Sequence, residues 1–295
     1  MNIGIRLHDT RPGTLRERLG FAAAQGFSCV QLAMGKAVPG FRMDEAPKLL
    51  TRELADEVRE ALAAEKIECA VLGCYLKLAQ PDEEEALRIR EIYLAHLRFA
   101  AWTGARCVGT ETPPAAGPEG DACHTEAQYR LFLDRVKPVI RAAEELGVTL
   151  GIEPVCSHII HDAGTAERML EDLGSGQAQI ILDAVNLIDS AHTGEAERLT
   201  GDAVRRLGER TCVLHMKDFV PQADAPRPKP VPCGQGQMRY GALLDLARRR
   251  SLPMTLENTS PENAEETRRW LEQAADNMDK TDMKHPDSER LGGKP

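Results

Sequence analysis

The amino-acid sequence predicts an α/β protein built as a single (β/α)8 TIM barrel. Eight short apolar runs recur along the chain, helical patterns separate them, and polar side chains follow several of the runs. The apolar residues within each run are largely continuous rather than alternating, which is typical of parallel strands covered on both faces. Eight strand–helix units in one chain favour a closed barrel over the alternative, an open doubly wound sheet.

The apolar runs predict strands at regular intervals along the chain. They lie at residues 2–7, 28–32, 67–72, 106–110, 148–152, 179–182, 211–214 and 253–256. Apolar residues at helical spacing lie between them, as in residues 87–102 and 243–250. Ser260 followed by Pro261 predicts the start of the last helix, because proline tolerates the first helical position.

The organisation predicted for the chain is one domain followed by a tail. The barrel is expected to occupy residues 1–275, and residues 276–295 form a polar C-terminal segment with no apolar stripe. Residues 221–232 are too rich in proline for a helix or a central strand. They predict a stiff loop after the seventh strand, at the face of the barrel where active sites lie.

The charge and cysteine content of the chain limit the kinds of molecule it is expected to bind and the compartment in which it is expected to lie. Lys plus Arg is 37 and Asp plus Glu is 46, so the formal net charge is −9, which argues against a broad surface for nucleic acid or anionic membranes. Charged residues interrupt the N-terminal segment, so neither a secretory signal nor a transmembrane segment is predicted. The eight cysteines include no Cys-x-x-Cys pair, and we expect reduced, buried thiols and a cytoplasmic location.

Polar side chains follow the last four predicted strands. Glu153, Asp183, His215 and Glu257 each come directly after an apolar run, about one strand–helix unit apart. Because neighbouring barrel strands lie about 4.8 Å apart, we expect these side chains to converge. Three carboxylates and one imidazole favour a single divalent ion such as Mn²⁺, Mg²⁺, Co²⁺ or Zn²⁺ over a thiolate-seeking metal. Without a cation the three carboxylates would repel one another.

Further polar residues are predicted to line the same pocket as substrate contacts. They are His8, Glu111, His158 and Lys217. Lys217 lies two residues beyond His215, so the two side chains point to the same side of the strand. Lys217 could hold a hydroxyl, a phosphate or a carboxylate of a substrate, or it could pair with Glu257 or Glu153.

Five short motifs support a resemblance to a known superfamily. They are GIEPV at 151–155, ILDAVNL at 181–187, LHMKD at 214–218, GQG at 234–236 and LEN at 256–258. These segments resemble the xylose isomerase-like TIM-barrel superfamily, which includes sugar-phosphate isomerases and epimerases and the ketose 3-epimerases. The resemblance implies that Glu153, Asp183, His215 and Glu257 bind the metal. It also implies that the two glutamates exchange the substrate proton.

The resemblance implies a metal-dependent isomerase or epimerase that acts on a sugar, sugar phosphate or keto-sugar derivative through a cis-enediolate. Asn186 stands where many relatives have a substrate-contacting histidine. Asparagine keeps hydrogen-bonding capacity but is neither a cation nor a strong base. The implied partner is a small carbohydrate, with no nucleic acid and no membrane, and a homodimer is left open.

Three alternatives use the same scaffold. A lyase or dehydratase acting on a keto-polyol or keto-glycoside would share the metal site and the first proton transfer. A non-enzymatic sugar-binding barrel is a further alternative. An endonuclease is disfavoured, because Glu111 stands where those relatives have histidine and no Asp-x-His pair follows His215.

Overall fold

The computed structural model describes residues 1–282 and confirms the predicted TIM barrel. Eight parallel strands close on themselves in the order β1-β10-β7-β6-β5-β4-β3-β2. The barrel strands are β1 (Ile3–Arg6), β2 (Cys29–Leu32), β3 (Glu68–Gly73), β4 (Cys107–Glu111), β5 (Thr149–Glu153), β6 (Ala178–Asp183), β7 (Thr211–Met216) and β10 (Met254–Leu256).

Helices follow the strands and pack around the outside of the barrel. They are α1 (Leu15–Ala24), α2 (Met34–Ala37), α3 (Ala46–Leu49), α4 (Arg52–Glu65), α5 (Glu83–Thr103), α6 (Glu126–Leu146), α7 (Ala163–Leu173), α8 (Ala196–Leu207), α9 (Gly241–Arg250) and α10 (Ala264–Asp282). The side chain of Thr125 caps α6 by accepting a hydrogen bond from the backbone N–H of Gln128, and Gly147 ends it in a left-handed conformation.

The two faces of the barrel strands carry different side chains. In β6, Leu182 belongs to the main core that packs the strands against the helices, whereas Ile181 belongs to a separate buried cluster inside the barrel. Because successive side chains of a strand point to opposite faces, Asp183 faces the same way as Ile181. The same alternation in β7 places Val213 in the inner cluster and turns His215 inward.

The predicted loop at residues 221–232 contains a short strand, so that prediction is wrong in part. Outside the barrel, β8 (Asp218–Val220) pairs antiparallel with β9 (Lys229–Val231), and Phe219 lies opposite Pro230. Proline is tolerated there because a strand at an edge need not donate every backbone hydrogen bond. The resulting hairpin brings the proline-rich connection over the end of the barrel.

The last helix begins later than the sequence predicts and continues into the predicted tail. It starts at Ala264, because residues 261–263 form a turn in which the Asn263 side chain accepts a hydrogen bond from the backbone N–H of Ser260. It continues to Asp282, so the predicted tail from Asp276 begins inside this helix, and residues 283–295 of that tail lie outside the described residues. Within residues 1–282, no helix combines the length and apolar character needed to cross a bilayer.

The close approach of β1 to β2 can be tested with two glycine substitutions. A Cβ added at Gly4 would lie 2.3 Å from the carbonyl oxygen of Cys29, so we expect Gly4→Ala to lower the free energy of unfolding by about 1–3 kcal/mol. Gly201 in α8 has open space where a Cβ would lie, and Gly201→Ala is expected to raise the free energy of unfolding by about 0.5–1 kcal/mol. Urea denaturation measures both, and a Gly4→Ala protein as stable as the wild type would contradict this packing.

Candidate metal centre

Four strand ends bring the central side chains to one place. Glu153 is the last residue of β5 and Asp183 the last residue of β6, while Glu257 directly follows β10. His215 in β7 is in register with Asp183 on one side and with Thr255 on the other. The side chains predicted from successive strands therefore meet at the carboxyl end of the barrel.

Three of these residues form a compact group of potential metal ligands. One ligand atom from each of Glu153, Asp183 and His215 lies within 4.8 Å of the other two. The Nδ1 atom of His215 is 3.1 Å from Glu153 Oε2 and 3.4 Å from Glu257 Oε1. Glu257 therefore adjoins the group through His215, although it is not one of the three residues that satisfy the mutual distance.

The hydrogen bonding of this group fits a divalent ion. Both ring nitrogens of His215 are buried and lack a hydrogen-bond partner, although Nδ1 faces Glu153 Oε2, and the buried Asp183 Oδ2 contacts the ammonium of Lys217 as an ion pair at 2.7 Å. Buried polar atoms are ordinarily satisfied, so the unpartnered ring nitrogens of His215, one of which faces Glu153, indicate a missing partner. Carboxylate oxygens and an imidazole nitrogen are ligands that Zn²⁺ and similar divalent ions accept.

Lys217 lies in the same centre and contacts two of its carboxylates. Its Nζ atom is 2.7 Å from Asp183 Oδ2 and 3.0 Å from Glu257 Oε2. Burial alone would lower the pKa of Lys217, but Asp183, Glu257 and Glu153 raise it above its ordinary value. The side chain is therefore an ammonium ion that stays charged across the neutral pH range.

The charge state of Glu257 follows from its cationic neighbours. Burial would raise the pKa of this carboxyl group, but Lys217, His215 and Arg6 outweigh burial and hold it well below its ordinary value. The Arg6 Nη1 atom is 3.6 Å from Glu257 Oε1, while its Nε donates a 2.9 Å hydrogen bond to Asp9. Glu257 is consequently a carboxylate at neutral pH.

Asn186 connects Glu153 to two cations. Its Nδ2 donates a 2.6 Å hydrogen bond to Glu153 Oε1. Its Oδ1 accepts hydrogen bonds from Lys217 Nζ at 3.0 Å and from Arg227 Nη2 at 2.5 Å. The amide therefore fixes the orientation of the Glu153 carboxylate while its oxygen accepts from two cations, and a neutral histidine, whose acceptor nitrogen has one lone pair, could not accept both hydrogen bonds.

The predicted substrate contacts divide into two sets. Glu111, Asn186 and Lys217 line a cavity of about 360 Å³ together with Glu257. His158 and His8 are not among the residues that line this cavity. His158 Nδ1 lies 3.8 Å from Glu111 Oε2, and His8 Nε2 lies 3.8 Å from Asp9 Oδ1.

Burial shifts the pKa values of the flanking groups. It lowers the pKa of His158 to about 4, with help from Arg227, and it lowers the pKa of His8 to about 4, with help from Arg6. Both imidazoles are therefore neutral at neutral pH. Burial, followed by Glu153 and Glu257, raises the pKa of Glu111 to about 7.

Arg6 and Arg227 also line the cavity, and the sequence did not single them out. Arg6 could have been found, because it lies two residues beyond Gly4 and so points to the same face of β1. Arg227 lies in the connection between β8 and β9, where no periodicity marks inward positions. Tyr75 is a further neighbour of the site, because burial, followed by the charges of Glu153 and Glu257, raises its pKa. Its hydroxyl oxygen accepts a 2.7 Å hydrogen bond from Gln31.

Two other cavities help to delimit the site. One of about 400 Å³ lies beside the central cavity, and Arg227 lines both. A larger cavity of about 540 Å³ is lined by Asn2, Lys66 and Ser251. Its lining contains none of the strand-end residues, so its greater size does not make it the functional site.

Comparisons with known proteins give a family and a set of similar folds. A family model described as xylose isomerase-like TIM barrel matches residues 19–274. No curated protein matches the chain. Among solved structures, the chain is similar to the 3-keto-D-glucoside 4-epimerase YcjR from E. coli, with a TM-score of 0.69, 18% identity, and coverage of 92% of this chain and 99% of that one.

Two further solved structures bear on the chemistry. The probable 3-DHS dehydratase AsbF from Bacillus anthracis has a TM-score of 0.67 at 15% identity, covering 87% of this chain and 92% of that one. The IOLI protein, solved with a bound zinc atom, has a TM-score of 0.69 at 16% identity, covering 93% of this chain and 98% of that one. At these identities the likeness establishes the fold.

The raised pKa of Glu111 predicts a pH dependence of stability in the metal-free protein. The folded protein holds this proton up to about pH 7, whereas the ordinary pKa is 4.5. The stabilisation that the proton of Glu111 gives to the folded state is therefore complete below pH 4.5 and is lost as the pH rises through 7. Urea denaturation between pH 4.5 and 7 should show a shallower decline for Glu111→Gln than for the wild type. Identical slopes would contradict this assignment.

Proposed function

Because the chain belongs to the xylose isomerase-like TIM-barrel family, we propose that it is a divalent-metal-dependent isomerase or epimerase. The proposed substrate is a sugar, a sugar phosphate or a keto-sugar derivative. The observation that supports this most strongly is the convergence of Glu153, Asp183 and His215, whose ligand atoms lie within 4.8 Å of one another. A centre of this composition at the carboxyl end of a barrel lies where such enzymes place their chemistry.

We propose Glu153, Asp183, His215 and Glu257 as the residues that hold the ion. The similar IOLI protein was solved with a bound zinc atom, which supports a metal in this fold. Mn²⁺, Mg²⁺, Co²⁺ and Zn²⁺ are all compatible with the ligand set. When bound, a divalent ion supplies Lewis-acid polarisation of a substrate carbonyl, which acidifies the adjacent C–H.

Glu257 and Glu153 are the proposed catalytic residues. Glu257 is ionised and so is able to accept a proton from a substrate carbon, while Arg6 and Lys217 hold its two oxygens in place. Asn186 holds Glu153 through Oε1. Removal of the proton by one glutamate and delivery of a different proton by the other, protonated glutamate from the opposite face would invert the carbon and exchange the protonation states of the two carboxyl groups. Delivery of the proton to the neighbouring carbon, with a proton shift between the two oxygens, would interconvert an aldose and a ketose.

The remaining cavity residues are proposed to bind and orient the substrate. Asn186, Arg227 and Glu111 face the cavity with hydrogen-bonding groups that suit hydroxyl and carbonyl oxygens. His158 is proposed to support this set through Glu111, its 3.8 Å neighbour. His8 lies outside the cavity lining, and we assign it no contact with the substrate.

We propose that the protein acts in the cytoplasm on a small carbohydrate. All eight cysteines are free thiols, which suits a reducing compartment. Their burial, complete except for the half-buried Cys156, fits their role as small apolar side chains.

A dehydratase or lyase is the second candidate function. The similarity to a probable 3-DHS dehydratase favours it, because a dehydratase eliminates water from its substrate. Elimination would start with the same proton removal by a glutamate and would then expel a leaving group from the next carbon. The mass of the product distinguishes the two functions, because isomerisation leaves it unchanged.

Solvent exchange tests the proton transfer. In deuterium oxide, the wild-type protein should introduce deuterium at a C–H of one member of a panel of ketoses, keto acids and keto-glycosides, as read by mass spectrometry. Turnover without exchange would contradict proton transfer by Glu153 and Glu257.

The role of Glu257 is tested by Glu257→Gln, which preserves shape but removes the base. We expect kcat to fall by at least about 10²–10⁴-fold. The metal content of each preparation is measured, because Glu257 is also a proposed ligand. Glu145→Gln is the matched control, since Glu145 is exposed in α6 and should leave kcat unchanged. Wild-type turnover by Glu257→Gln would remove the catalytic assignment.

Metal dependence is tested with the chelated protein. Re-addition of Mn²⁺ should restore activity and raise the melting temperature, with a stabilisation of about 2.7 kcal/mol at 100 times Kd. Asp183→Asn retains the Oδ1 acceptor for the backbone N–H of Val185 and should weaken Mn²⁺ binding by at least about tenfold. Asp245→Asn in α9, where the half-exposed side chain pairs with Arg249 on the surface, is the control. An unchanged melting temperature in the wild type would count against the centre.

A further inference from the structure

The ammonium group of Lys217 is enclosed by oxygen atoms. Its Nζ lies 2.7 Å from Asp183 Oδ2 as an ion pair, and it donates 3.0 Å hydrogen bonds to Asn186 Oδ1 and Glu257 Oε2. Lys217 is 7% exposed. A lysine ammonium has three donors, and these three contacts match them in number. Lys217 is thus a cation bound by three oxygen atoms, and its hydrogen-bond donors are already used rather than available to a substrate.

The charges around Lys217 suit one divalent ion. Glu153, Asp183 and Glu257 supply three negative charges, and Lys217 supplies one positive charge, which leaves two negative charges for a doubly charged ion to balance. Arg6 also approaches Glu257, but its guanidinium is paired with Asp9 at 2.9 Å. Without Lys217, one divalent ion would leave a buried negative charge, which is costly and attracts a further cation.

We propose that Lys217 fills the position of a second cation and so restricts the centre to a single divalent ion. It does so by occupying Asp183 Oδ2 and Glu257 Oε2, the oxygens that a second ion would need, and by holding both side chains in place. Lys217 is a positioning residue in this role. The inference rests on the proposed metal site and assigns its nuclearity, which the proposed reaction leaves open.

The test is the number of Mn²⁺ ions bound per chain. Metal-free wild type, Lys217→Ala and Lys217→Arg are titrated with Mn²⁺ by calorimetry, and bound metal is counted after dialysis. We expect one ion in the wild type, two in Lys217→Ala and one in Lys217→Arg, which keeps the charge. Electron paramagnetic resonance should show exchange coupling between two Mn²⁺ ions in Lys217→Ala alone. None of these measurements requires a substrate.

The outcomes separate this inference from the proposed function. One Mn²⁺ in both the wild type and Lys217→Ala overturns the role of Lys217 and leaves the metal site standing. Two Mn²⁺ ions in the wild type also overturn it, even where Lys217→Ala does not fold. If Lys217→Ala does not fold, Lys217→Ser replaces it, and two bound Mn²⁺ ions per chain are again expected. A wild-type protein that binds no Mn²⁺ overturns the proposed metal site itself.

Discussion

The burial of three carboxylates around one imidazole is the constraint on which the rest of the site depends. Glu153, Asp183 and Glu257 are each at least nine-tenths buried. Charges removed from water destabilise the fold unless cations and hydrogen-bond donors compensate them. Lys217 and Asn186 provide part of that compensation, and the unpartnered ring nitrogens of His215 mark where it is incomplete.

The barrel converts a simple sequence pattern into this concentration of charge. Each strand alternates between an outer face that packs on helices and an inner face that fills the barrel. In β6, the inner face runs from Ile181 to Asp183, so an apolar layer lies beneath the polar layer. The apolar layer excludes water from below, which strengthens the electrostatic interactions of the carboxylates above it.

The strand ends could be predicted from the sequence, because each polar residue follows a continuous apolar run. The barrel and the meeting of Glu153, Asp183 and His215 follow from that local pattern and the closure of the sheet. The contacts of Asn186 could not, because its partner Arg227 is 41 residues away on a hairpin with no periodicity. The β9 strand was missed for a related reason, since its proline suggested a loop and only the pairing with β8 shows a strand.

The location of the ion tests the central claim most directly. Crystals grown with Mn²⁺ should give, at the manganese absorption edge, a single anomalous peak per chain bounded by Glu153, Asp183 and His215, with Glu257 adjoining it. An empty centre in such crystals, or a peak elsewhere on the chain with these side chains in their present positions, would contradict the account.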